Sequence, residues 1–221
     1  MKQFWFLFKK EFLLLRRAIH GVLSLVSLSL IFLFIFHFSL EDRISFSDNH
    51  LLGLKWALVF LLSFILIGQS SYEERESGAF RINYLFVPAY KSFLAKTISL
   101  FLVLTFIEIF ILLAFSWFFQ NSKFDLETVQ LNFYFLFPAS FSLTAVGVSL
   151  ASLSTSTRLK EIILPVLQIP LSVPVLLVGM NAERVYIVSQ SNTIQSFFIL
   201  LAFAVFYSAS GIWIFEIGGE T

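Results

Sequence analysis

Cysteine is absent from this 221-residue chain. Thiol catalysis, a disulfide framework and cysteine-ligated metal centres are therefore excluded. Charge is almost as scarce. Asp, Glu, Lys and Arg make up 13% of the residues, against about 25% in an average soluble chain. Glycine occurs nine times, and no G-x-x-x-x-G-K-[ST] loop exists to cradle a nucleotide's phosphates. No H-E-x-x-H, no G-x-S-x-G and no acidic metal cluster is present. The few basic residues sit at the edges of apolar runs, a pattern that does not suit nucleic acid. No catalytic residue, bound cofactor or metal ligand is expected of this chain. Any ATP hydrolysis belongs to another polypeptide.

What the chain has in abundance is apolar surface. Hydrophobic residues make up 58% of it, thirty of them phenylalanine. A helix that spans a bilayer needs about 20 apolar residues. Six runs meet that length, at about 21–40, 51–71, 92–119, 129–152, 162–180 and 194–215. The fold class is therefore all-α membrane protein, with a six-span domain over 21–215 and a tail at 216–221. The third run is long for one span and is expected to tilt.

Residues 1–20 read as an amphipathic helix in the membrane interface. Lys2, Lys9, Lys10, Arg16 and Arg17 share one side, and Phe4, Phe8, Phe12 and Leu15 fill the other. A cleaved signal peptide is the rival. The paired basic residues interrupt any apolar core, and no small-residue cleavage site follows.

Lys and Arg also set the expected orientation. The amino-terminal segment and the second and fourth gaps, with Lys96 at the start of the third run, hold eleven of them, against Arg43, Lys55, Lys123 and Arg184 on the other side. Both termini and the 72–91 gap are thus expected in the cytoplasm.

That gap, YEERESGAFRINYLFVPAYK, holds six charged residues between two apolar runs. Glu73, Glu74 and Glu76 suit the first turn of a helix, where they meet the positive end of its dipole. Ala79, Ile82, Leu85 and Phe86 recur on one helical face, and Pro88 ends the helix just before itself. The expectation is a short amphipathic helix along the cytoplasmic surface, with Arg75 and Arg81 off its apolar face. It is either a docking helix for a soluble partner or a solvated loop that rests on the bilayer.

Here the chain resembles a family. Glu74-Arg75-Glu76-Ser77-Gly78, then Leu85-Phe86-Val87-Pro88, then Ala95-Lys96 is similar to the second cytoplasmic segment of ABC-2-type permeases. Residues 142–179 carry a small-residue run, a short basic loop and a span of the form L-P-x-x-x-x-P-L-x-x-P. They resemble the fourth and fifth spans of the haem exporter protein B (CcmB) family. The resemblance is strongest over about 56–105 and 142–179. It implies a bacterial inner-membrane permease subunit of the cytochrome c maturation complex. It also implies a CcmA-like cytoplasmic ATPase that carries the ATP, CcmC-like and CcmD-like membrane partners, a haem chaperone, and haem as a possible substrate. On that reading Glu73, Glu74, Arg75, Glu76, Gly78, Arg81 and Pro88 form the ATPase-coupling segment.

Other residues keep two readings. Pro165, Pro170 and Pro174 interrupt the fifth span's donors, giving either a static kink or a bend that flexes during turnover. Gly147, Ser149, Ala151 and Ser152 allow close helix approach, as ordinary packing or as a pathway lining. Glu108 lies deep in the third span, where a charge costs about 2.5–3.5 kcal/mol on insertion scales. It is either hydrogen-bonded within the bundle, or a polar contact to a second subunit or a proton-sensitive position. His20, His37 and His50 stand alone, and no second ligand lies at helical spacing to hold haem. Two rival functions remain at this stage. One is an ABC-2 permease for a lipid, polysaccharide or drug; the other is a membrane scaffold that transports nothing.

Overall fold

Long apolar runs separated by short polar gaps leave the backbone one way to satisfy its hydrogen bonds in lipid, which is to coil each run into a helix. A computed structural model of the chain describes residues 7–10, 19–40, 48–76, 88–119, 126–153, 160–189 and 193–219. All six long helices are α-helices: α1 (Ile19–Leu40), α2 (Asp48–Glu76), α3 (Ala89–Phe118), α4 (Leu126–Leu153), α5 (Lys160–Ser189) and α6 (Ile194–Gly219). Each contains a stretch long and apolar enough to cross a membrane. Residues 7–10, in the segment expected at the interface, are also helical.

The fourth helix is the centre of the bundle. It packs against α2, α3, α5 and α6, and its spanning stretch is the most buried of the six. Its sequence explains why. Ser140, Ser142, Ala145, Gly147, Ser149, Ala151 and Ser152 are all buried and all small, so four neighbours can approach its backbone closely. A methyl on Gly147 would stand 2.3 Å from Ile67 Cδ1 on α2. From α6, a methyl on Gly211 would stand 2.3 Å from Ser149 Oγ and 2.5 Å from Phe93 Cζ. Packing therefore accounts for this small-residue run.

Apart from Ser140, the described hydroxyls on α4 bond back to their own helix. Ser142 Oγ donates to the Pro138 carbonyl at 2.7 Å, Thr144 Oγ1 to that of Ser140 at 3.0 Å, and Ser149 Oγ to that of Ala145 at 2.6 Å. Helix α1 packs on α2 and α3 at the edge of the bundle. It leaves Leu23, Ile31, Phe34, Ile35 and Phe38 more than half exposed. Such a face is ordinary for a helix bordered by lipid, whose tails are as apolar as leucine.

Candidate functional site

Helix α2 is longer than its apolar run. It continues through Glu76, so the acidic residues close this helix instead of opening the next one, which corrects the expectation of a first-turn cluster. The reason lies in tertiary pairing. Glu74 is buried, and its Oε2 accepts a hydrogen bond from Lys96 Nζ on α3, itself buried. Lys10 approaches the other carboxylate oxygen at 3.9 Å. Two cations on one carboxylate offset its desolvation, and they override the helix-start preference of acidic residues. One turn earlier, Gln69 Nε2 donates to Glu73 Oε1 at 3.4 Å.

Three parts of the chain therefore meet at Glu74: the amino-terminal segment, the end of α2 and the start of α3. Arg75 and Glu76 belong to the last turn of α2. Gly78 and Arg81 lie outside the described residues, as does the 79–86 stretch expected to form the coupling helix. Pro88 is exposed, extended (φ −56°, ψ 133°) and caps the start of α3. Its carbonyl accepts from Lys91 N at 3.0 Å. The described structure thus places Glu73, Glu74 and Pro88 on either side of the 77–87 interval.

Glu108 is buried in α3 and accepts a hydrogen bond from Ser140 Oγ on α4. Its partner lies inside the bundle, so no second subunit is needed to satisfy it. A second buried charge escaped the sequence reading. Glu183, placed in the gap after the fifth span, is buried within α5 and paired with Lys55 on α2. Trp56 Nε1 donates to its other oxygen at 2.9 Å. The same tryptophan packs on Gly179, where an added methyl would stand 2.2 Å from the indole. Lys55 and Glu183 are 128 residues apart, and nothing local marks them as partners. The available signal was weak: Lys55 is a lone charge inside the second run, and Glu183 stands beside Arg184 just past the fifth.

Helix α5 runs unbroken through Pro165, Pro170 and Pro174. Pro170 and Pro174 are exposed, and each leaves the carbonyl four residues earlier without its helical donor. Tyr207 on α6 donates to the neighbouring Leu171 carbonyl at 2.7 Å. A further proline, Pro138, is buried inside α4. His37 packs by ring contact on Phe118 and Phe119, with centroids 5.6 and 5.7 Å away. His20 and His50 are exposed.

Six spanning helices, with buried ion pairs that tie α2 to α3 and to α5, define a multi-pass membrane protein. No curated protein matches the chain. A family model described as CcmB protein matches residues 2–212, nearly the whole length, and the chain belongs to that family. Membership gives it the role of a transmembrane permease component of the haem-exporter ABC type in cytochrome c maturation. It also implies a membrane complex with a CcmA-type ATPase and other Ccm subunits.

Proposed function

We propose that this chain is the inner-membrane permease subunit through which a CcmA-like ATPase acts on haem delivery. The ATPase docks from the cytoplasm on the segment from Glu73 to Pro88, with Arg75, Glu76, Gly78 and Arg81 in the docking surface. ATP binding closes the ATPase dimer and pushes on this segment. The push enters the bundle through the Glu74–Lys96 pair, which fastens the end of α2 to α3, and Lys10 extends it to the amino-terminal segment.

The observation that carries this reading is the burial of that pair beside the docking segment. A carboxylate clamped by two lysines resists separation, because removing one partner strands a desolvated charge. Coupling also requires that the two nucleotide states of the ATPase contact the segment differently. CcmC-like and CcmD-like subunits and a haem chaperone complete the complex. Its output is either haem delivered across the membrane or a haem-loaded chaperone released from it. Prolines 165, 170 and 174 act as the bend in α5 that yields when the bundle moves.

Deletion of the gene followed by haem staining tests the cargo. Covalent c-type cytochromes are expected to disappear, and normal staining would leave only a generic permease. Co-purification tests the docking. Arg75→Ala and Arg81→Ala are expected to lose the ATPase from the purified complex while the chain stays in the membrane. Retention of the ATPase by both variants would sink the proposed contact.

A further inference from the structure

Helix α5 carries two buried polar side chains that its neighbours do not match. Gln168 and Ser172 are both fully buried. Neither amide atom of Gln168 and no atom of the Ser172 hydroxyl has a hydrogen-bond partner. Ser71, Thr97 and Ser99 are also buried without a partner, but Ser172 stands on the same helical face as an unmatched amide. Ser142, Thr144, Ser149 and Ser208 all fold back on their own helix's carbonyls, and Ser172 does not.

The two residues are four apart, so they share one face of α5. That face meets α4 and α2. A methyl on Gly147 of α4 would stand 3.3 Å from Gln168 Nε2 and 2.3 Å from Ile67 Cδ1 of α2. The bare backbone of Gly147 is what gives the amide its room.

A primary amide can form four hydrogen bonds and a serine hydroxyl three. In an apolar interior such groups keep partners or cost stability. Lipid has no donors or acceptors to offer at this depth, and the site is shielded from it. Water is the molecule small enough to enter and able to bond two to four polar groups at once.

We propose that Gln168 and Ser172 line a hydrated site where α2, α4 and α5 meet. Ser172 lies twelve residues beyond Lys160, about 18 Å along the helix axis. The site therefore reaches well into the bilayer's thickness. The site's existence does not depend on the cargo or on the docking scheme above.

The absence of native cysteine makes the test direct. Ser172→Cys and Val175→Cys are made singly in the full chain and assembled in membranes with its partners. Val175 is equally buried, less than one turn further along, and belongs to the hydrophobic core. The probe is 2-aminoethyl methanethiosulfonate. A thiolate attacks its sulfenyl sulfur, forms a mixed disulfide and releases methanesulfinate. Thiolates form only where water reaches, so modification reports hydration, and intact mass reads it.

Ser172→Cys is expected to react at least ten-fold faster than Val175→Cys. Equal rates at the two positions, or no reaction at either, overturn the proposal. A second measurement covers the case in which the cysteine variants fail to accumulate. Gln168→Leu keeps the volume and removes the amide. In a hydrated site its melting temperature is expected to stay level or fall. A rise of several degrees would mean that the amide was a dry, unmatched group, and the proposal would be wrong.

Discussion

Lys55 and Glu183 are where a single atom change costs most. Each is buried, and each is the other's charge partner. Glu183→Ala would strand an ammonium and also release the Trp56 indole N–H. The expected loss is about 3–5 kcal/mol, read as reduced thermal stability of the purified protein. The double replacement Lys55→Met with Glu183→Leu is expected to recover most of that loss, because desolvation disappears along with attraction. Glu108→Gln should be mild, since a glutamine oxygen can still accept from Ser140. Glu108→Ala leaves the hydroxyl free to fold back on its own helix, and about 1–3 kcal/mol is the expected cost. Glu108 was legible as a buried polar position because a carboxylate inside a long apolar run must find a partner, though the sequence left open whether that partner lay inside the bundle. Ser140 was not, because nothing along the chain says which hydroxyl on which helix will face it. In the sequence Glu74 reads as opening a helix and Lys96 as a basic residue at a span's edge, and both as family motif letters. Their pairing is a product of α2 and α3 lying side by side.

At the scale of helices, glycines divide sharply by surroundings. Gly179 faces the Trp56 indole at a distance no methyl could share, while Gly53 has nothing within 4 Å of an added methyl. Gly179→Ala is expected to destabilise by about 1–3 kcal/mol, since it forces a packed ring to move. Gly53→Ala is expected to be neutral or to stabilise by up to about 1 kcal/mol, the ordinary helix-propensity gain. Melting curves of the two variants side by side check both. The prolines of α5 give a functional contrast. Replacing Pro170 and Pro174 by alanine restores two backbone donors on an exposed face. If the bend serves turnover, the variant is expected to be at least as stable as the parent and to mature fewer c-type cytochromes. Unchanged haem staining would mark the prolines as static. The existence and type of all six helices followed from run length alone. Their ends did not. Helix α2 extends past its apolar run because Glu74 has a buried lysine waiting across the gap, and α5 extends past its run because Glu183 does.

For the whole molecule, the ion-paired joint predicts a separation of docking from work. Glu74→Gln keeps the shape at the end of α2 and removes the charge that two lysines hold. The ATPase is expected to remain bound in pull-downs, while c-type cytochrome staining falls by at least ten-fold. Loss of the ATPase itself would place Glu74 in the docking surface and not in the joint. Orientation has its own check. Ser77→Cys is expected to resist impermeant maleimide added to intact cells and to react once the membrane is opened; labelling of intact cells would reverse the assignment of sides. The order of synthesis adds a last consequence of α4's central place. Its spanning stretch and that of α5 are the least hydrophobic of the six, yet α4 touches two helices made before it and two made after. The first three helices pack on one another, but their bundle is completed only once α4 and its successors emerge. A ribosome that stopped after α3 would leave behind a fragment without a keystone, fit for proteolysis.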